Sequence, residues 1–366
     1  MDEARDHEMG ADNISDDGSG PELFIAYLQD RLPMVEEAIG LTSPGPLTNE
    51  PVKDDLDRYL YTPLEQFTAS GGKRVRPVLA LLGAEAVGGR PEDALSCGVA
   101  IELFQSAALI HDDIADKSEL RRGEPCLYRT EGVGIATNVG DLALTEVFEI
   151  VLNDVQLPDD RKVRVLSELV RMERHTLEGQ ALDLGWARDE RWDVSADDYL
   201  YMVDAKTAWY SVAIPLYVGA LCGGATEEDA QGLIGFGRHA GVAFQLQDDL
   251  LNLVGSAEAQ GKDFRSDITE GKHTLAVVWA LGHLDEDTRA ELINLLEAET
   301  TDAGELSRAV ELLEQGGGIE HCQEVAAQEA AAAKDAAREM TAADAITPRA
   351  GDLLCSMAEY FVTRER

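Results

Sequence analysis

The sequence predicts an all-α protein organised as one large domain. From Pro21 onward, apolar residues recur three and four positions apart almost throughout, which is the period of a helix with one buried face. No run alternates apolar and polar residues as a half-buried strand would. None of the segments between the predicted helices is long enough, or biased enough in composition, to mark a domain boundary.

The predicted helices follow one another along most of the chain. Clusters of glycine, proline and polar residues separate them, as at residues 43–51 and 121–125. The alanine-rich segment at 326–340 is expected to form a solvent-facing outer helix. Residues 1–20 are acidic and carry too little apolar surface to offset ordering entropy, so we expect a disordered tail before a domain at 21–366. The clearest helical segments are residues 24–39, 76–87, 93–116, 162–184 and 229–254.

The charge of the chain argues against two classes of partner. A net charge of −39 opposes binding to nucleic acid phosphates or to an anionic membrane surface. A chain this acidic, with only eight lysines, fits a protein that works in concentrated salt, where screening reduces self-repulsion.

The cysteines and apolar stretches predict a soluble cytoplasmic protein. The five cysteines are widely separated, with no CxxC and no Cys/His cluster, so neither a disulfide framework nor a zinc site is predicted. The start of the chain lacks the basic and apolar parts of a signal peptide. The longest apolar stretch, at 212–224, is short and interrupted by proline, so we expect no membrane span.

The first chemical signal is an acidic cluster, His111–Asp116, at the end of an apolar helix. Asp112 and Asp116 are four positions apart, so their carboxylates lie one turn apart and can reach one hard cation such as Mg²⁺. The apolar residues before them imply a buried helix, in which clustered like charges are costly without a metal or a cationic partner. A solvated helix end is the alternative interpretation in a chain with 70 acidic residues.

A second acidic cluster, Phe244–Asn252, repeats the arrangement with Asp248 and Asp249 on a later apolar helix. Two helices that each bring an Asp-Asp pair to one cavity would form a multi-metal site for a diphosphate. The pair of clusters is a stronger signal than either alone.

Fixed cations accompany the two clusters. The glycine-rich segment Gly71–Pro77 enters a helix and offers backbone amides together with Lys73 and Arg76, which suit a phosphate group. Arg121 and Arg122 follow the first cluster after a short turn. Adaptation to salt gives no reason to retain lysines in such motifs, so their presence indicates contact with a ligand. Four of the eight lysines lie there: Lys73, Lys206, Lys262 and Lys272.

Together these motifs resemble those of the trans-isoprenyl diphosphate synthases, the polyprenyl synthetase family. GGKRVRP, DDIAD followed by RRGEP, GDLALTEVF, GQALDL, KT, FQLQDD and GKDFRSDITEGKHT occur in that family's order and rough spacing, over about residues 65–280. The resemblance implies a large helical bundle around a deep central cavity, assembled as a homodimer. It implies an enzyme that condenses isopentenyl diphosphate with an allylic diphosphate, namely dimethylallyl, geranyl or farnesyl diphosphate.

The resemblance also assigns roles to individual residues. Asp113 joins the catalytic group, with Asp112, Asp116, Arg121, Lys206 and Asp248. Two or three Mg²⁺ ions per active site would be held by Asp112, Asp116 and Asp248. Isopentenyl diphosphate would be bound by Lys73, Arg76, Gln105 and Arg122. The allylic diphosphate would be bound by Arg121, Lys206, Thr207, Gln245, Lys262 and Lys272. The second cluster departs from many members of the family because it ends in Asn252 rather than in a third aspartate.

Three residues before the first cluster bear on product length. Ala108, Ala107 and Phe104 lie four, five and eight positions before Asp112, along the path expected for the growing tail. The alanines would let the tail pass, and Phe104 would close the channel roughly 12 Å below Asp112 at 1.5 Å per residue. This favours geranylgeranyl diphosphate (C20), although the same residues would also suit simple core packing. A synthase of longer chains (C25 or more) and a non-catalytic regulatory subunit are the alternatives.

Overall fold

The computed structural model describes residues 20–42, 44–255 and 264–364. The protein is 79% helical with almost no strand, so the predicted all-α class is confirmed. The strands assigned in the described ranges form one short antiparallel ribbon, β1 (Leu120–Arg121) and β2 (Glu124–Pro125). The tail predicted at residues 1–20 lies outside the described residues except for Gly20.

In the amino-terminal half, the described residues form eight helices, with a π-helical turn at Asp57–Tyr61 and a 3₁₀ turn at Pro91–Ala94. They are α1 (Glu22–Leu41), α2 (Lys53–Leu56), α3 (Thr62–Ala69), α4 (Val75–Ala86), α5 (Leu95–Ala115), α6 (Leu127–Glu131), α7 (Val133–Asn153) and α8 (Asp159–Arg188).

The carboxy-terminal half begins with α9 (Ala196–Val203), which continues into a ten-residue π-helix, Asp204–Ala213. The helices that follow are α10 (Ile214–Gly223), α11 (Glu227–Val254), α12 (Ser266–Thr269), α13 (Leu275–His283), α14 (Glu286–Glu297), α15 (Ala303–Gln315), α16 (Gly318–Ala342) and α17 (Pro348–Thr363).

Side-chain caps set the starts of the helices that frame the site. Ser195 and Asp198 form a capping box at the start of α9. The Thr226 hydroxyl accepts the Asp229 N–H at 3.2 Å at the start of α11. Thr274 caps α13 in the same way, through the Val277 N–H at 3.4 Å. These local signals fix where α9, α11 and α13 begin.

Helix α5 runs through the core of the bundle. Thirteen of its 21 residues are buried. The stretch Pro91–Ala115 is long and apolar enough to cross a membrane, but 72% of its most apolar window is buried inside the protein. The core helix of a folded domain has this composition too.

Glycines let the elements around the site approach closely. A Cβ on Gly179 of α8 would lie 2.4 Å from the backbone nitrogen of Lys206. On the opposite side, a Cβ on Gly241 of α11 would lie 2.5 Å from the Ala208 Cα. The π-helix is therefore held tightly between α8 and α11, so polar residues on all three elements can share one cavity.

Candidate active site

One cavity, of about 220 Å³, is lined mainly by polar side chains, among them four aspartates and two lysines, and we call it the acid cavity. Side chains reach it from α5, α8, α9, the π-helix, α11, α12 and the segment before α13. Its polar lining residues are Asp112, Asp183, Tyr199, Lys206, Thr207, Tyr210, Gln245, Asp249, Asp267, Lys272, His273 and Thr274. The structure thus brings together Asp112, Lys206, Thr207, Gln245 and Lys272 among the predicted site residues.

The first acidic cluster divides between two directions. The Asp112 carboxylate accepts a hydrogen bond from Gln180 Nε2 at 2.7 Å, and the Asp116 carboxylate accepts one from Lys272 Nζ at 3.1 Å. Asp113 is buried and points elsewhere, where it accepts a hydrogen bond from Arg121 Nε at 2.9 Å. Asp113 therefore holds Arg121, while Asp112 and Asp116 share the face predicted from their spacing.

Asp183 is the charge centre of the acid cavity. Its Oδ2 accepts hydrogen bonds from Lys206 Nζ at 2.7 Å and from Lys272 Nζ at 3.3 Å. Burial alone would raise the pKa of this carboxyl, but the two ammonium groups outweigh burial and lower its pKa to about 2. Burial likewise opposes the charge on Lys206, yet Asp183 and Asp112 hold its pKa above the usual value. The three side chains form one ionic unit around a buried carboxylate.

The second acidic cluster is also divided between two cavities. Asp249 faces the acid cavity, where it accepts hydrogen bonds from the Tyr199 hydroxyl and from Gln245 Nε2, the latter at 2.8 Å. Burial raises the pKa of Asp249 to about 7. Asp248 faces a second cavity, and its carboxylate accepts a hydrogen bond from Arg364 at 2.6 Å.

This second cavity, of about 570 Å³, is lined by five arginines, and we call it the arginine cavity. Partial burial lowers the pKa of Arg122, and the guanidinium groups of Arg74, Arg121 and Arg76 lower it further. Crowded positive charge of this kind favours a polyanionic ligand. The polar lining residues are Lys73, Arg74, Arg76, Glu102, Gln105, Arg121, Arg122, Ser211, Asp248, Tyr360 and Arg364.

The GGKRVRP motif builds one wall of the arginine cavity. Gly71 and Gly72 have positive φ angles of 96° and 142°, which glycine adopts without strain. A Cβ on Gly72 would lie 3.1 Å from the Arg122 guanidinium, so the absence of a side chain leaves room for that group. Arg74 is buried and bonds Glu36 and Glu102, which makes it a support for the wall.

Two further ligand-binding candidates on this wall are Arg76 and Gln105. Arg76 donates hydrogen bonds to the Tyr210 hydroxyl at 3.0 Å and to Ser211 Oγ at 2.8 Å. The Oε1 atom of Gln105 is buried and accepts no hydrogen bond from any described residue. An acceptor in that position would suit a donor group on a ligand or an ordered water.

Asn252, the last residue of the second acidic cluster, contacts the start of α12. The Asn252 Oδ1 accepts the Asp267 N–H at 3.3 Å, and its Nδ2 donates to Ser266 Oγ at 3.2 Å. This side chain therefore fastens the start of α12 to the end of α11. Lys262 lies outside the described residues.

The residues predicted to set product length lie in the core of α5. Phe104 and Ala107 are buried, and Ala108 is half-buried. The Phe104 ring packs edge-on against Tyr210, with 5.6 Å between ring centroids and an interplanar angle of 70°.

Several residues that line the acid cavity were not predicted from the sequence, and three of them, Asp183, Asp267 and Tyr210, lay in or next to recognised motifs. Asp183 lies in the quoted motif GQALDL, three positions after Gln180, and that helical spacing was the available signal. Asp267 lies in the quoted segment before Lys272, and Tyr210 lies three positions after Thr207. Their placement depends on how the π-helix and the α12 segment pack, which no local pattern indicated.

Comparison with known proteins identifies the family. Residues 57–313 match the polyprenyl synthetase family model. A short chain isoprenyl diphosphate synthase of Methanothermobacter thermautotrophicus is 36% identical over 318 residues, covering 86% of this chain and 94% of that protein. A geranylfarnesyl diphosphate synthase of Natronomonas pharaonis is 35% identical over 301 residues, covering 76% of this chain and 85% of that protein.

A solved structure supports the same conclusion. The geranylgeranyl pyrophosphate synthetase from Pyrococcus horikoshii superimposes with a TM-score of 0.82 at 33% identity, covering 94% of this chain and 99% of that chain. Prenyl synthases of this family are generally Mg²⁺-dependent. The sequence prediction is confirmed: the chain belongs to the polyprenyl synthetase family of prenyltransferases, the trans-isoprenyl diphosphate synthases.

Proposed function

We propose that this chain condenses isopentenyl diphosphate with an allylic diphosphate and releases a longer trans-prenyl diphosphate, with geranylgeranyl diphosphate as the main product. The observation that carries the proposal is the pair of adjoining cavities of different charge. The acid cavity combines carboxylates with two lysines, and the arginine cavity is rich in guanidinium groups. Asp249 lines one and its neighbour Asp248 lines the other, so the two ligands would meet at a shared wall.

The acid cavity suits an allylic diphosphate bound through Mg²⁺. Asp112 and Asp116 offer hard oxygen ligands, and burial together with the Asp112 charge raises the pKa of Asp116, which a bound cation would reverse. No three side chains of metal-ligating type are already gathered around one point in the described ranges. Two or three ions would be held by Asp112 and Asp116, and by Asp248 from the arginine-cavity side of the shared wall, together with diphosphate oxygens. When bound, Mg²⁺ would neutralise charge on the leaving diphosphate.

The side chains of this protein would then orient the two substrates. Lys206 and Lys272 would hold the allylic diphosphate from the acid cavity, and Arg121 would reach it from the arginine cavity, with Lys262 as a further predicted contact. Lys73, Arg76, Gln105 and Arg122 would hold isopentenyl diphosphate by charge-assisted hydrogen bonds. The Thr207 hydroxyl donates to Gln245 Oε1 at 3.0 Å, so these two side chains stand together where oxygen atoms would steady an allylic cation.

Carbon–carbon bond formation follows from this placement. The allylic C–O bond breaks as diphosphate leaves, and the double bond of isopentenyl diphosphate attacks the allylic cation. A proton is then lost to the departed diphosphate, so no side-chain base is required, and because the double bond supplies the attacking electrons no side-chain nucleophile is required either. The fixed lysines and arginines stabilise the negative charge that develops on the leaving group.

A product longer than C20 is the second candidate. Its support is the similarity to the geranylfarnesyl diphosphate synthase of Natronomonas pharaonis. Replacing Phe104 by alanine and separating the products by chromatography tests the role proposed for that ring. Unchanged chain length in this variant would remove Phe104 from the set of length-determining residues.

We also propose a homodimer formed through α8. Four exposed apolar residues recur every seven positions along this helix, which is the spacing of a packing seam. The exposed fractions are 65% for Val163, 53% for Val170, 66% for Leu177 and 36% for Leu184. A second copy of the chain would cover this stripe. We place the dimer in a salt-rich cytoplasm, with residues 21–366 as one catalytic domain.

The decisive experiment uses the purified chain alone, in high salt, with dimethylallyl and isopentenyl diphosphates and Mg²⁺. We expect prenyl diphosphate products, loss of turnover with EDTA, and recovery when Mg²⁺ is restored. Asp112→Asn should lower kcat at least 100-fold, about 3 kcal/mol, because a metal ligand is lost. The exposed Asp335→Asn is the matched control. A chain that forms no product until a second protein is added would instead be a regulatory subunit.

A further inference from the structure

Of the two rings in contact, Tyr210 and Phe104, Tyr210 faces the acid cavity. Tyr210 lines that cavity together with Asp112, whereas Phe104 is not among the described lining residues and is only 3% exposed. The two rings meet edge to face at 5.6 Å. Tyr210 therefore stands between the cavity and Phe104, and a tail that grows from the Asp112 end meets Tyr210 first.

The Tyr210 ring is held by a residue of the arginine cavity. Arg76 donates a hydrogen bond to its hydroxyl at 3.0 Å, and the Arg76 guanidinium carbon lies 4.5 Å from the ring centroid. Arg76 itself lines the arginine cavity and also bonds Ser211. A ring with a hydrogen bond at its tip and an aromatic partner on its edge cannot turn aside without losing both contacts.

The backbone next to Tyr210 is fixed as well. Trp209 stacks on His175 of α8, with ring centroids 4.1 Å apart and planes 9° apart. The π-helix that carries Tyr210 packs against α11 through Gly237 and Gly241. The position of the Tyr210 ring is thus set by the scaffold on both sides.

We propose that Tyr210, held by its hydrogen bond from Arg76 and by its ring contact with Phe104, is the residue that stops the growing prenyl tail. This proposal rests on the proposed function and names the side chain that sets product length in it. Phe104 acts through Tyr210 as a positioning residue. The Arg76–Tyr210 hydrogen bond also connects the acid cavity, which Tyr210 lines, with the arginine cavity, which Arg76 lines.

Product analysis tests the proposal. Tyr210→Ala should lengthen the main product by at least one isoprene unit, and Tyr210→Trp should shorten it by one. Tyr210→Phe should keep the length of the main product. It should raise the KM for isopentenyl diphosphate several-fold, because Arg76 loses its hydrogen bond to the Tyr210 hydroxyl. Phe104→Ala should lengthen the product less than Tyr210→Ala does. Tyr201→Ala, at a 57% exposed tyrosine, is the matched control.

A binding measurement keeps the proposal separate from the proposed function. Calorimetry with Mg²⁺ and prenyl diphosphates of increasing length needs no turnover, so it applies even if the wild-type chain makes no product. We expect wild-type affinity to fall at least tenfold beyond one chain length, and this limit should move to a longer ligand in Tyr210→Ala. The same length limit in wild type, Tyr210→Ala and Tyr210→Trp would overturn the role of Tyr210, as would lengthening by Phe104→Ala alone.

Discussion

Replacing Asp183 by asparagine tests whether one buried carboxylate organises the two lysines of the acid cavity. The wild-type carboxylate accepts from Lys206 at 2.7 Å and from Lys272 at 3.3 Å, and it is only 6% exposed. In Asp183→Asn the two ammonium groups lose their shared counter-charge and repel each other. We expect a less stable protein, and we expect the two lysines proposed to bind diphosphate to be less well positioned.

The size of the effect follows from the ion pairs. The folded environment lowers the pKa of Asp183 from the ordinary aspartate value of 3.8 to about 2, because the two lysines outweigh burial. At about 1.4 kcal/mol per pKa unit, the folded environment favours the charged form by about 2 kcal/mol. Since breaking a buried pair also strands its partners, we expect a loss of about 2 to 4 kcal/mol in the free energy of unfolding. Mispositioned lysines should lower kcat about 10- to 100-fold.

Chemical denaturation and steady-state kinetics in high salt measure both effects. A folded-state pKa below 3.8 means that the contribution of Asp183 to stability is present above about pH 4 and is lost as the pH falls toward 2. The difference between wild type and Asp183→Asn should therefore be constant from pH 8 to 5 and shrink below pH 4. Because the pair is buried, added salt should change it little.

The matched control is Asp189→Asn, an exposed aspartate just after the end of α8 that pairs with Arg188. This variant should leave stability and kcat within experimental error of wild type. The reasoning fails if Asp183→Asn keeps kcat within twofold of wild type, or if its loss of stability disappears in high salt.

Three further predictions follow. Burial raises the pKa of Glu173 from 4.5 to about 7, so the free energy of unfolding should fall as the pH rises through that interval. Glu173→Gln should then be about 1 to 3 kcal/mol more stable than wild type at pH 8 and nearly equal at pH 5, and equal gaps at both pH values would contradict this cause. If the proposed dimer forms through α8, Leu177→Asp should give a monomer in light scattering, whereas Leu47→Asp, at a 96% exposed position, should leave the dimer intact. Asn252→Ala should speed hydrogen exchange of the amides at 265–267. Unchanged exchange there would show that the hydrogen bonds of Asn252 to Ser266 and Asp267 do not order α12.

The sequence predicted the class of fold and much of the candidate site for physical reasons. Helical periodicity is strong in segments such as 93–116, and α5 spans most of that range. The four-residue spacing of Asp112 and Asp116 fixed their common face because helix geometry is local. The motif Gly71–Pro77 was expected to bind an anion, and the structure places Lys73 and Arg76 on the wall of the arginine cavity.

The remaining features depend on contacts between distant elements. Consecutive aspartates on one helix point in different directions, so Asp248 and Asp249 line different cavities, which the pattern alone does not reveal. The pairing of Asp183 with Lys206 requires the close approach of α8 and the π-helix at Gly179. The proposed role of Tyr210 as the residue that stops the growing tail depends on the same packing. Such contacts join residues that local periodicity cannot relate.

The ten-residue π-helix at Asp204–Ala213 has a consequence for comparing this chain with its relatives. A wide turn has i to i+5 hydrogen bonds, so it carries more residues than an α-helical turn between the same two flanking helices. A relative that lacks one residue here would keep the phase of both flanking helices but would lose one side chain from the wall they enclose. A gap in a sequence alignment between Thr207 and Ser211 would therefore signal altered substrate preference rather than a neutral deletion.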